Sequence, residues 1–208
     1  MDTRQRLLAA GLKLARRQGL KALTVRALAT EADVNLGSFV HHYGTRDAFI
    51  AELIERWYAP VFAQLQLAAA AELPPLQALR EALLQFLAWL VKHRSFIAQL
   101  VLDASAGEPA ARRFMATLDQ RHPAVLLRLI VRAQAAGALR RDEPMHQLLF
   151  LMSAMAVPVL MFHLLARQKL APNALVQAVT RYTTEPEAIQ QRLGWALQGL
   201  APAAEASR

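Results

Sequence analysis

Three features of this 208-residue sequence predict an all-α chain. Apolar residues recur every three or four positions along most of its length, and no segment alternates β-branched with polar residues as a strand would. Gly and Pro fall at intervals that divide the chain into helix-sized pieces. With 55% hydrophobic and 19% charged residues, disorder is excluded and the apolar surplus must be buried, as a helical dimer would bury it. No internal repeat is present, and low complexity is confined to the Ala-rich tail after Leu200.

The first helix is expected over residues 3–19, where Leu7, Leu8, Leu12 and Leu14 alternate with basic residues and Gly19 stands as a C-cap. Thr24 caps a short second helix through Ala32, with Val25, Leu28 and Ala29 inward and Arg26 outward. Asp33, Val34 and Asn35 form a turn with Val34 buried, because Asp and Asn tolerate left-handed backbone and Asn caps the next helix. That third helix, residues 36–42, carries Phe39 and Tyr43 on one side, and Gly44 ends it. Thr45 caps a fourth, whose early Asp47 suits the helix dipole. Its apolar stripe is Phe49, Ile50, Leu53, Trp57, Val61, Phe62 and Leu65, with room to continue to Leu73.

Pro74 and Pro75 stop that helix and open another over residues 76–93, followed by a short one over 95–104. Gly107 and Pro109 mark a break. Residues 110–136 are again helical, with Pro123 either kinking or dividing them and Gly137 closing them. Residues 144–168 are the most apolar segment, and shorter helices over 174–181 and 186–199 complete the chain. Within residues 148–162 only Ser153 is polar. A membrane span needs ~20 residues and this run contains Pro158, so it is expected to be a helix buried on most sides at a subunit interface, with no membrane partner.

The formal charge of +8 favours an anionic partner, but residues 1–60 hold nine Lys/Arg against six acids, so local placement decides more than net charge. The absence of Cys excludes thiolate and disulfide chemistry and fits a reducing compartment. The N-terminus runs straight into an amphipathic pattern without signal-peptide character, and a cytoplasmic location is expected.

Residues 24–43 have the spacing of a helix-turn-helix: a short helix, a three-residue turn and a second short helix, with small Ala29 where the two cross. The second helix of such a unit enters the major groove, and Asn35, Gly37, Ser38 and His41 are short or polar enough on its outer face to approach base edges. With the run Arg4 to Leu8, Ala10, Gly19, Leu23-Thr24-Val25, Leu28-Ala29, Ala32, Val34, Gly37-Ser38, His42-Tyr43 and Thr45 to Phe49, residues 3–60 resemble the N-terminal domain of TetR-family regulators.

The resemblance implies a DNA-binding domain over residues 1–48, with the fourth helix, from residue 46, leading into a helical ligand-binding and dimerisation domain over 49–208. It implies that Arg26 reaches a base and that Gly37, Ser38 and His41 face bases or adjacent backbone. Thr24, His42 and Arg46 would hold phosphates, and Asn35, Tyr43 and Thr45 complete the expected DNA-facing set. Three positions depart from the family's pattern: Val40 replaces a phosphate-contacting Tyr, Tyr43 a buried Phe, and Asp33 a turn Gly. Tyr43 can keep its ring in the core with its hydroxyl outward.

The resemblance also implies a homodimer joined through residues 144–168 and 186–199, a palindromic duplex operator, and repression relieved by a small apolar effector. Activation, ligand-independent regulation, and a lipid-associated helical protein stand as alternatives. Phe62, Phe86, Trp89, Phe96, Phe114, Met115, Met152, Met155 and Phe162 are candidate pocket linings, since Met side chains repack around varied shapes. Arg112-Arg113 and Arg140-Arg141 are read as solvated surface. No catalytic motif, metal site or cofactor is expected: the His residues are scattered, and neighbours His41 and His42 project about 100° apart on a helix.

Overall fold

A computed structural model describes residues 2–167 and 173–202. Among the described residues there are ten α-helices and no strand: α1 (Thr3–Gln18), α2 (Val25–Ala32), α3 (Leu36–Tyr43), α4 (Arg46–Ala70), α5 (Pro75–Ser105), α6 (Pro109–Ala116), α7 (His122–Ala135), α8 (Pro144–Arg167), α9 (Asn173–Thr184) and α10 (Pro186–Gly199). Short 3-10 turns lie at Leu20–Ala22 and Leu118–Gln120.

Two expectations change. Residues 76–93 and 95–104 belong to one continuous helix, because neither Gly nor Pro interrupts them and Leu90, Phe96 and Leu100 all stay buried. Residues 110–136 are divided rather than kinked, with Pro123 in the first turn of α7, where its missing amide costs nothing. Residue 168 and residues 203–208 lie outside the described residues.

The chain packs as two compact units: residues up to Pro60 with Ser95–Leu118, and Val61–Arg94 with residues from Asp119 onward. The boundary expected at residue 48 does not coincide with this division. Helix α4 runs through it unbroken, and acidic groups near the start of α6 anchor the N-terminal elements.

In the first unit, α1 opens with a reciprocal capping box between Asp2 and Gln5 and closes at Gly19, whose φ of 82° is easy only for glycine. A small residue is required inside α1 as well: a Cβ on Gly11 would stand 2.6 Å from Cζ of buried Phe49. Leu7, Leu14, Leu28, Phe39, Phe49, Ile50 and Leu53 form this unit's core.

In the second unit, Leu65, Leu79, Leu83, Leu126, Leu129, Ile130, Leu151 and Leu193 form the core. Gln134 and Gln147, both buried, donate to the Arg140 carbonyl and hold the α7–α8 loop. Pro158 lies inside α8 and has no amide, so the Ala154 carbonyl loses its helical donor. Arg192 of α10 supplies the replacement, donating from Nη2 to the Ala154 and Met155 carbonyls at 2.9 Å each, and from Nη1 to the Tyr182 carbonyl.

Helix α8 is long and apolar enough to cross a membrane by composition, with a mean hydropathy of 2.2 in its most apolar window. One face packs on α7, α9 and α10 through Leu148, Leu151, Met155 and Val159. The expected burial on most sides is not met within one chain, because Leu149, Phe150, Val157 and Met161 are exposed on the remaining surface.

Candidate nucleic-acid interface

The segment from Thr24 to Gly44 is built from local hydrogen bonds that its residue types dictate. Thr24 Oγ1 accepts the Ala27 amide at 3.1 Å and starts α2. Asp33 adopts the left-handed conformation, φ 50°, and the Val34 amide reaches back to the Ala29 carbonyl. Asn35 Oδ1 accepts the Ser38 amide at 2.7 Å and starts α3, and Gly44, φ 67°, ends it with its amide on the Val40 carbonyl. Val34 is half-buried rather than buried, since it sits at the edge of the turn. On the inner side of α3, Phe39 and Tyr43 pack against Phe49 with ring centroids 5.4 and 4.8 Å apart.

This scaffold leaves Gly37, Val40, His41 and His42 exposed, with Ser38 half-buried. The Ser38 hydroxyl donates to Asn35 Oδ1, so both side chains are partly committed to the cap. Thr24, Arg26, Asn35 and Thr45 are exposed, and Thr45 Oγ1 accepts the Ala48 amide. Arg26 makes no ion pair among the described residues, so its five donors remain available. His41 and His42 lie edge to face, 5.2 Å between centroids.

Two expected contacts are corrected. Arg46, expected on a phosphate, turns inward: Nε donates to the Leu23 carbonyl at 2.8 Å, Nη2 to the Leu20 carbonyl at 2.7 Å, and both Nη atoms to the Glu108 carboxylate at 3.0–3.1 Å. Glu108 is only 5% exposed, so the guanidinium serves as its counter-ion and fastens the 3-10 turn to the start of α6. Tyr43, expected to face DNA, is buried, and its hydroxyl donates to the Arg4 carbonyl at 3.4 Å. Burial, reinforced by the nearby Glu52 charge, raises its pKa.

Sequence reasoning missed the fastenings behind the turn. Arg6 donates to the carbonyl and carboxylate of Asp33, holding the left-handed residue in place, and Arg4 pairs with Glu52 of α4. The Arg4 hydrogen bond holds the Glu52 carboxyl below its usual pKa. Buried Asp103 accepts the Leu20 amide at 2.7 Å. The partners lie 27 to 83 residues apart, so no local pattern announces them.

The nine candidate pocket residues have separate fates. Phe96 and Phe114 are corrected to core packing in the first unit, against Trp57 at 4.5 Å and Tyr58 at 5.3 Å, and Met115 is half-buried there. In the second unit Phe86 is buried and stacks on His122 at 4.5 Å, with Trp89 at 6.1 Å. Met155 lines a cleft of about 220 Å³ with Phe150, Tyr182, Arg192 and Trp195, while Phe62, Met152 and Phe162 are half-buried. A larger cleft of about 500 Å³ lies among Leu76, Arg80, Ala138, Gly194 and Leu197.

The sequence profile of bacterial regulatory proteins of the tetR family matches residues 7–53, the segment whose geometry is described above. Over that segment the chain carries a tetR-family regulatory domain. A stretch of 58 residues is 38% identical to the HTH-type transcriptional repressor NemR of Escherichia coli K12, covering 28% of this chain and 29% of NemR. The aligned part thus spans under a third of that relative's length. Solved structures share the fold across the chain. A regulatory protein of the tetR family from Rhodococcus RHA1 superposes with a TM-score of 0.70 at 18% identity, covering 98% of this chain and all of that one. The ketosteroid transcriptional regulator KstR2 of Mycobacterium tuberculosis does so with 0.66 at 18% identity, covering 97% and 96%.

Proposed function

We propose that this chain is a TetR-family regulator, a cytoplasmic, dimeric repressor that binds a near-palindromic DNA operator through α3 and is released by a small apolar ligand. The presentation of α3 carries the reading. Its inner face is held by Phe39 and Tyr43, its ends by Asn35 and Gly44, and its outer face offers Gly37, His41 and His42, with Arg26 near the start of α2. Short residues on a rigidly capped helix suit entry into a major groove, where Arg26 would read a base while Thr24 and His42 hold backbone.

The exposed apolar side of α8, together with Trp195 of α10, which is 55% exposed, supports pairing of two copies through these helices. One apolar stripe opposite a packed face suits a partner helix better than lipid, which would favour an apolar surface all round. Repression is supported by the name of the E. coli relative, and an effector site by the clefts of the second unit.

Selection of bound duplexes from a random pool by the full-length chain tests the reading. Enrichment of an inverted repeat, bound by a dimer with affinity falling steeply as salt rises, is the expected result. A monomer that enriches nothing at low ionic strength overturns it. A reporter driven by the recovered operator separates repression from activation, and any effector must lower operator affinity by the factor by which operator lowers effector affinity.

A further inference from the structure

We infer that Leu36 and Val40 form a thymine-reading ridge on α3, taking the 5-methyl groups of thymines in the major groove. The inference rests on the DNA-binding reading above and deepens it by naming base and residues. Leu36 is 47% exposed and Val40 57%, and they stand on consecutive turns of one short helix. The fold does not need them there, because the inner face is already filled by Phe39, Tyr43 and Phe49. Neither side chain carries a hydrogen-bonding group, so neither can read a donor or acceptor pattern. The apolar feature that a major groove displays is the thymine methyl.

Gly37 stands beside this ridge, in the first turn of α3. A Cβ there would stand 3.3 Å from Asn35 Oδ1, the oxygen that caps α3, so a close contact from one polar atom is all that restricts this first-turn position. Its missing side chain leaves room for the backbone to come close to base edges, the approach that brings two aliphatic neighbours into van der Waals contact with methyl groups. Asn35 and Ser38 are engaged with each other in the cap, which leaves His41 and His42 as the exposed polar side chains of α3, His41 next to Val40. Four residues of helix rise about 6 Å, against about 3.4 Å per base-pair step, so the two thymines are expected one or two steps apart in each half-site.

The probe is the duplex enriched by the full-length chain, with each thymine replaced in turn by deoxyuridine, which removes only the methyl. Replacement at two positions of the half-site is expected to weaken binding by about threefold to tenfold each. Val40→Ala should abolish the sensitivity at one position and Leu36→Ala at the other. Both variants should keep wild-type affinity for unrelated duplex at low salt, which shows that they are folded. Insensitivity to every replacement, variants that retain the wild-type pattern, or enriched half-sites without thymine would overturn the inference and leave the DNA-binding reading standing. Enrichment of no duplex would remove that reading, and the inference with it.

Discussion

Replacing Arg46 by alanine separates two roles that a cation at the start of α4 can play. If it is the internal fastener, the change removes two hydrogen bonds to the Leu20 and Leu23 carbonyls and strips the two-pronged counter-ion from Glu108. Breaking a buried ion pair costs about 3–5 kcal/mol. The Arg46 side chain is 31% exposed, and solvent screening lowers the expected loss to about 2–3 kcal/mol. Glu108→Gln keeps an acceptor and avoids an isolated buried charge, so it should cost less. In the Glu108→Gln background, Arg46→Ala should cost less than it does alone. Urea unfolding followed by ellipticity at fixed protein concentration reads the stability. The dependence of duplex affinity on salt reads the other role, because a phosphate-binding cation contributes about one unit to the slope of log affinity against log salt. The expected outcome is a large loss of stability with an unchanged slope. Wild-type stability with a slope reduced by about one would refute the reasoning and return Arg46 to the phosphate backbone.

Three further outcomes follow from the packing. Gly11→Ala should destabilise the chain by about 1–2 kcal/mol in urea, since a Cβ 2.6 Å from a buried ring outweighs the roughly 1 kcal/mol that alanine adds to a helix; a raised melting temperature would contradict it. Arg192→Met should cost about 2–3 kcal/mol in the wild-type chain and clearly less after Pro158→Ala, because the restored amide then satisfies the Ala154 carbonyl. Equal costs in both backgrounds would separate the two residues. Burial, with a smaller contribution from the Arg121 charge, holds His122 at a pKa of about 4 against an ordinary 6.5. The unfolded chain therefore takes up a proton that the folded chain refuses as pH falls from 6.5 to 4, and stability drops across that window by at most about 3 kcal/mol. His122→Phe should flatten that part of the pH profile measured by thermal melts, and an unchanged profile would exclude His122 as its source.

The capped helices at the N-terminus were legible because their determinants act over three or four residues. Thr24, Asn35 and Thr45 each bind an amide three positions on, and Gly19 and Gly44 take positive φ where their helices end. Such contacts are properties of the local chain, and so the helix-turn-helix could be placed from residue types alone. The apolar face of α3 was legible in the same way, from Phe39 and Tyr43 at helical spacing.

Side-chain destinations were a different matter. An arginine at position 46 suits a phosphate or a carboxylate equally well, and only the fold brings Glu108, 62 residues away, within 3.0 Å of it. The continuity of α5 depended on the burial of both its halves, which a missing breaker permits but does not require. Phe96 and Phe114 could line a cavity or fill a core on composition alone, and their contacts with Trp57 and Tyr58 decide for the core. Local sequence therefore determined where the capped N-terminal helices begin, end and turn. Which charges meet and which apolar faces stay open was decided by tertiary structure, because those energies belong to pairs of groups far apart along the chain.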